Sequence, residues 1–324
     1  MTAIKVTVGL VPFGGVKYLP YSLASLLDQD YEHIEYLILD QEEGEYSATK
    51  WVEKHRPEWL SMATWLEGPN LMHSGGMNAL INKMSGDVFI GVSQDMIYPK
   101  DFVSKVVSFL QAHGDYDFAT ARLYYWDFNK LEKTNRIDSL GLKIDQKHSS
   151  FEIGQGKIAE SFSKTYEEIF GVSGALFAIR RKALEKIKVN DQFFDENLHY
   201  KNDVDLSYRL QWAGYRGALI NNIIIHHDRF INNKAKKPFW VIRQSLFGDW
   251  VCFLKNYSWQ YSFVTHCKTL IYLSSKTIFS LICHPSLFGV FGDLWKKRVL
   301  IAKWRKAIPR AITAKQMEKK LEYP

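Results

Sequence analysis

Val88-Phe-Ile-Gly-Val-Ser-Gln-Asp95 sets the architecture of the first half of the chain. Residues 88–92 carry no charge and are too few for a helix, so they suit a strand buried on both faces. The run ends in a polar triplet whose last member is an acid. The same grammar occurs upstream. Residues 34–39 form an apolar-rich run that stops at Asp40, and residues 4–11 are dense in Ile and Val before a turn at 12–15. Apolar residues recur at helical spacing over 18–27, 47–55, 77–84 and 102–112, with a short strand at 62–66. Strands alternating with helices predict an α/β fold: a mainly parallel mixed sheet flanked by helices. Ligands of such sheets sit beyond the carboxyl ends of the strands, where Asp40 and Asp95 both stand. A lone Asp there is ordinarily a turn or helix cap. Two at corresponding places point into one crevice.

Further along, residues 119–173 show little periodicity, with turns at Asp138-Ser-Leu-Gly141 and Ile153-Gly-Gln-Gly156. Gly171-Val-Ser-Gly-Ala175 leads into a strand at 176–179. A helix at 203–210 ends near Gly214, and a strand at 218–225 delivers His226, His227 and Asp228. Residues 239–255 and 263–282 read as helices. The second carries His266, Lys268 and Lys276 and is followed by Pro285, so it is too interrupted for a standard membrane span. The expected organisation is an α/β domain over 1–235 and a helical, basic region over 236–324.

The formal charge of +7 is local. Ten basic residues lie between Lys296 and Lys320, opposed only by Glu318, and the rest of the chain is near neutral. That distribution, without an aromatic platform interleaved with it, argues against nucleic acid. It favours helices that touch a bilayer interface, with the basic tail held by anionic lipid. Cys252, Cys267 and Cys283 are odd in number and sit among apolar residues, so neither a disulfide framework nor a zinc site is expected. A reducing compartment fits, and the start of the chain carries no signal-peptide pattern. The expected location is cytoplasmic, peripheral at the inner face of the membrane. Homo-oligomerisation is compatible with this reading.

Three constellations carry chemistry. Asn202-Asp203-Val-Asp205-Leu-Ser-Tyr-Arg209, with Trp212 following, places two acids at a helix start, where free N–H groups and the dipole favour them. Asp205 can pair with Arg209 four residues on and is partly structural. Asp203, nearer the helix mouth, is the candidate base for an acceptor hydroxyl. Asp95 with the His226–His227 pair offers oxygen and imidazole ligands for Mn²⁺ or Mg²⁺. Adjacent residues on a strand face opposite ways, so one histidine at most meets the metal, and the sequence leaves open which. Asn70-Leu-Met-His-Ser-Gly75-Gly76-Met-Asn78 precedes a helix, and its glycines would let backbone approach a phosphate, although a tight turn explains them equally.

Taken in order, these segments resemble family 2 glycosyltransferases with the GT-A fold, in particular a rhamnosyltransferase-like branch. The resemblance runs from about Ile4 to Asp228. It implies that Val11, Pro12 and Phe13 hold a nucleobase with Asp40, that Asn70 to Asn78 (with Gly75 and Gly76) line the donor, and that Gln94 and Asp95 stand in the metal-binding element. Only the last carboxylate of that element remains, in Ser93-Gln94-Asp95. The family's Glu-Asp-x-Asp-Leu-x-x-Arg segment matches 202–209, with Asn202 in place of Glu and Asp203 at the base position. Gly174 and Ala175 with Asn202, Arg209 and Trp212 would line the acceptor or sugar pocket. Asp138-Ser-x-Gly141 resembles a segment of the rhamnosyl branch.

The implied reaction is inverting transfer from a nucleotide-sugar, dTDP-L-rhamnose by branch resemblance. The acceptor would be lipid-linked or an oligosaccharide, in surface polysaccharide synthesis such as O-antigen or capsule. The alternatives are a UDP-hexose donor such as UDP-glucose or UDP-galactose, and a catalytically impaired sugar- or nucleotide-binding scaffold. A nucleotidyltransferase would need a basic glycine-rich loop near the start, and a processive synthase a Gln-x-x-Arg-Trp motif. Neither pattern is present.

Overall fold

The structure, a computed structural model, describes residues 3–229 and 238–322. The expected boundary between 235 and 236 lies outside the described residues. The first half alternates β1 (Val6–Leu10), α1 (Leu19–Leu27), β2 (Ile34–Asp40), α2 (Ala48–His55), β3 (Thr64–Glu67), α3 (Met72–Lys83), β4 (Val88–Val92), β5 (Met96–Ile97) and α4 (Phe102–Ala112). Then come β6 (Phe118–Asp127), β7 (Glu132–Ser139), β8 (Leu142–Ile144), β9 (Ser150–Glu152), β10 (Tyr166–Ile169), β11 (Leu176–Arg180), α5 (Arg181–Ile187), α6 (Asn202–Trp212) and β12 (Gly217–His227). Helices α7 (Phe239–Asn256), α8 (Phe263–Cys283), α9 (Gly289–Ala307) and α10 (Ala314–Glu322) complete the described chain.

The large sheet runs β10-β12-β6-β11-β4-β1-β2-β3. Strands β4, β1, β2 and β3 are mutually parallel, as the alternating pattern requires. Strand β11 is antiparallel to both β4 and β6, and β12 is parallel to β6. Strand β12 therefore points the same way as β4, and the carboxyl ends of β1, β4 and β12 open on one edge. Strands β1 and β4 are buried throughout.

Two apolar cores flank the sheet. One lies under α1, α2 and α4, where Leu23, Val52, Val103 and Leu110 meet Val6, Val8 and Ile90. The other joins α3, α5 and α6 to the opposite face through Leu80, Leu184 and Leu206. A third core binds the C-terminal helices to α6, with Tyr208 and Trp212 against Val251, Val290 and Ile301. The basic stretch is the helices α9 and α10 rather than an extended tail.

One element starts earlier than its pattern suggests. Helix α3 begins at Met72 and contains Gly75 and Gly76. A Cβ on Gly75 would lie 2.8 Å from Leu71 Cβ, and one on Gly76 2.8 Å from a Val11 methyl. The paired glycines let α3 press against β1 and its own entry loop. They form neither a turn nor a phosphate cradle at the helix start.

Candidate active site

The end of β4 and the end of β12 are brought together by β5, which pairs Met96 with His227 and Ile97 with His226. Strand alternation then sorts the two histidines. His227 is buried, with Nε2 3.3 Å from Asp95 Oδ1 and Nδ1 2.7 Å from Asp138 Oδ2. His226 projects to the other face and packs edge-on against Tyr124. Burial and the nearby Lys133 push the His226 pKa down to about 4. The metal-ligand expectation for His226 is therefore corrected: it faces away from both carboxylates.

Burial alone would lower the His227 pKa, but Asp95 and Asp138 outweigh it and raise it to about 9. Burial would likewise raise Asp95 and Asp138, yet the imidazolium holds both below the usual carboxylate range. Ser93 Oγ also donates to Asp95. The His227 ring thus lies between two carboxylates that favour a proton on Nε2, facing Asp95. A divalent cation taking the place of that proton would have one carboxylate and one imidazole ligand, with Asp138 fixing the far nitrogen. Mn²⁺ and Mg²⁺ commonly keep further positions for water and substrate phosphates, so this sparse donor set fits them. No group of three or more His, Cys, Asp or Glu side chains in metal-binding geometry occurs among the described residues.

From Asp138 the polar chain continues. Arg229 Nη1 donates to Asp138 Oδ1 at 3.1 Å and lies 3.5 Å from Glu152 Oε1. Glu152 accepts from Ser139 and, at 3.1 Å, from Ser173. Burial pushes the Glu152 pKa up to about 6, against the pull of Arg229 and with Asp203 adding to the rise. Beside Ser173, the Gly174 N–H donates to Asp203 Oδ2 at 3.1 Å, and the Val204 N–H donates to Oδ1 at 2.8 Å. Asp203 is half-buried at the mouth of α6, with Ala175 next to Gly174. Asn202 is buried behind it and donates to Ser74 Oγ at 2.9 Å and His73 Nδ1 at 3.1 Å. Asn202 therefore positions α6 on α3 and does not line a pocket.

Other expected site residues take structural places. Asp40 is buried and accepts from Glu42 N at 3.2 Å, Ser47 Oγ at 2.7 Å and Thr49 N at 2.8 Å. It shapes the entry to α2, the ordinary fate of an acid after a strand, and its carboxylate is not presented to a nucleobase. Asn78 is buried, accepting from Phe193 N and Phe194 N and donating to Phe194 O and Glu196. Asn70 folds back to accept from Met72 N. Gln94 clamps the Phe13 backbone, accepting from its N–H at 3.0 Å and donating to its carbonyl. This fastens the Val11-Pro12-Phe13 loop to the end of β4 and leaves the Phe13 ring exposed.

Arg209 and Trp212 are fully buried. Arg209 binds Asp205 and the carbonyls of Ile187 and Phe193, and Trp212 donates to Asn256 O. The acceptor-pocket expectation for these two is corrected: they lie on the inner side of α6 and hold it to the core. Glu152, Arg229 and His73 join the site without having been picked out from the sequence. Asp138 was read there as a turn and a branch marker, and its contact with His227 was not foreseen.

Residues 10–188 match the sequence family described as Glycosyl transferase family 2. That match contains Asp95, Asp138 and Glu152 and stops before Asp203 and His227. None of the curated proteins matches the chain. Among solved structures, it is similar to GalNAc-T7 with UDP, GalNAc and Mn²⁺, at a TM-score of 0.60 and 12% identity over 78% of this chain and 48% of that one. The chain thus spans about half the length of that protein. It is also similar to the mannosyltransferase PcManGT from Pyrobaculum calidifontis in complex with GDP-Man and Mn²⁺, at 0.57 and 15% identity over 99% of this chain and 86% of that one. At these identities the likeness is one of fold.

Proposed function

The chain belongs to glycosyl transferase family 2, and from that premise we propose that it transfers a sugar, with inversion, from a nucleoside-diphosphate sugar to an acceptor hydroxyl. The carrying observation is the run of polar contacts from Asp95 and His227 through Asp138, Arg229 and Glu152 to Ser173, whose neighbour Gly174 donates its N–H to Asp203 at the mouth of α6. In this reading Asp95 and His227 at one end of the run would bind the cation, and Asp203 at the other would be the base.

Asp203 is the base in this reading. The Gly174 and Val204 N–H groups fix its carboxylate, leaving lone pairs to take the acceptor proton. The acceptor oxygen then attacks the anomeric carbon as the bond to the diphosphate breaks, which inverts that carbon. Asp95 and His227 would hold a divalent cation, Mn²⁺ or Mg²⁺. When bound, it would neutralise charge on the leaving diphosphate. Asp138 keeps the His227 ring oriented, and Arg229 and Glu152 brace Asp138 against Ser173, next to the Gly174 N–H that holds Asp203.

On the donor, the solved structures of similar fold hold UDP with GalNAc and GDP-mannose, which favours a UDP- or GDP-hexose over dTDP-rhamnose. The rhamnose reading rested on resemblance to that branch as a whole, with Asp138-Ser-x-Gly141 as one of its segments. Those residues have other work: Asp138 orients His227, Ser139 binds Glu152 and Gly141 turns the chain at φ +99°.

The test is release of nucleoside diphosphate from a panel of UDP-, GDP- and dTDP-sugars with Mn²⁺. Wild type should cleave one donor class. Asp203→Asn should lower turnover about 10²- to 10⁴-fold, and Asp95→Ala should abolish the Mn²⁺-supported release. Absence of both release and calorimetric binding of any nucleotide would overturn the transferase reading.

A further inference from the structure

Helix α8 is inside out. Its 21 residues contain no acid, and along its length Thr265, Thr269, Leu273 and Thr277 are buried against the protein. Phe263, Leu270, Ile271, Ile278, Phe279 and Ile282 face outward, each between 57% and 79% exposed. A helix packed on a water-soluble domain ordinarily shows the reverse, with its apolar stripe turned in. The inner side is polar in its contacts too. Trp250 Nε1 donates to Thr277 Oγ1 at 3.2 Å, Thr269 Oγ1 donates to Gln146 O at 3.0 Å, and Lys276 pairs with Asp249. The outward stripe is therefore not a core face that lost its partner: the helix has a partner and presents the other side.

Helix α9 extends the pattern. Trp295 and Val299 are exposed one turn apart, and Lys296, Lys303 and Lys306 are exposed beside them. From Phe263 to Met317 there are ten basic residues and one acid, Asp293, which is paired with Arg243. No helix among the described residues is long and apolar enough to cross a membrane. At about 1.5 Å per residue, α8 offers an apolar strip roughly 30 Å long. A long apolar strip with aromatic residues and basic residues nearby matches the chemistry of an anionic bilayer surface.

We propose that α8 lies in the plane of an anionic lipid bilayer, its apolar strip among the acyl chains and the α9 lysines against the headgroups. This goes beyond the transferase reading and does not depend on it. It has a consequence for the site. The turn that α8 touches from within, 145–149, runs directly into β9 and Glu152, and Ser149 Oγ donates to Tyr272 OH at 3.0 Å. Docking would bring the Asp203 side of the cleft near the lipid surface, where a lipid-linked acceptor would be found.

The test is co-sedimentation of the full chain with vesicles of phosphatidylcholine alone, or of phosphatidylcholine and phosphatidylglycerol in equal parts. Two variants accompany it: one combining Leu270→Ser, Ile271→Ser, Ile278→Ser and Phe279→Ser, the other combining Lys296→Gln, Lys303→Gln and Lys306→Gln. All seven side chains are exposed, so both variants should melt like wild type by circular dichroism. Wild type should pellet with the anionic vesicles. The apolar variant should stay in the supernatant, and the lysine variant should partition on the order of a hundredfold more weakly. Wild type remaining soluble with both vesicle types, or the apolar variant pelleting like wild type, would overturn the proposal. So would a wild-type dimer by sedimentation velocity that the apolar variant dissolves, because the strip would then belong to a second copy.

Discussion

Asp138 touches no expected ligand in the sequence reading, yet it fixes which nitrogen of His227 faces Asp95. Its carboxylate, fully buried, accepts from Nδ1 at 2.7 Å, so Nε2, facing Asp95, is the nitrogen left for the proposed metal. Orientation of this kind ordinarily contributes ten- to a hundredfold to metal affinity. Asp138→Asn keeps the shape but removes the charge, and Mn²⁺ affinity measured by calorimetry with nucleoside diphosphate present should fall about 10- to 100-fold. Unchanged affinity would mean that His227 does not bind the metal. Asp95 was legible because it ends an apolar strand, and Asp203 because it opens a helix. Glu152 was not, because residues 132–152 form short strands with polar, partly exposed faces and so give no periodic signal, and Arg229 was not because it stands just past the end of β12, outside any pattern. Arg209 was misread for a geometric reason. It lies six residues after Asp203, which turns it roughly 120° round the helix, away from the cleft and into the core.

At the scale of elements, α6 carries Asp203, the proposed base, at its mouth and a buried charge cluster inward. Asp205 pairs with Arg209 at 2.9 Å, as the four-residue spacing suggested, and also with Lys255 of α7 at 2.8 Å. Lys255 reaches Asp195 at 3.1 Å and sits 3.9 Å from the centre of the Trp304 ring on α9. None of Asp205, Arg209 or Lys255 is exposed. Removing one partner from such a cluster leaves charge buried and uncompensated. Lys255→Met should therefore destabilise the protein by about 3–5 kcal/mol in urea titration. A loss below about 1 kcal/mol, the scale of an exposed pair, would show that α7 is not fastened to α6 through this charge. The α-helices of the first half were readable from their spacing. Strand β6 was not: the buried Arg122 interrupts its apolar run, and only the fold shows the side chain satisfied by Tyr124 and Asn221, each at 2.9 Å. The start of α3 was missed because Gly75-Gly76 reads locally as a turn, while its cause is the close approach of Leu71 and Val11.

For the whole molecule, the division into 1–235 and 236–324 follows composition, but packing does not respect it. The third core takes Leu142, Ile144, Phe170, Leu198, Val204, Tyr208 and Trp212 from the α/β part and covers them with α7, α9 and α10. Arg310 lies 4.3 Å from the centre of the Trp212 ring, and the N–H of Ala311 donates to the Trp212 carbonyl at 2.8 Å. Cutting the chain at 235 would turn these side chains out to water. Burying a large apolar side chain stabilises by about 1.5–3 kcal/mol, so exposing several at once exceeds the 5–15 kcal/mol that holds a typical domain together. The fragment 1–235 should therefore bind a hydrophobic dye and aggregate on gel filtration, even though it keeps every residue assigned to the site. A soluble, cooperatively melting fragment would mean that the α/β part folds alone and that the C-terminal helices are an attachment. If the fragment instead fails, α7, α9 and α10 are what hold α6, and with it Asp203, in place.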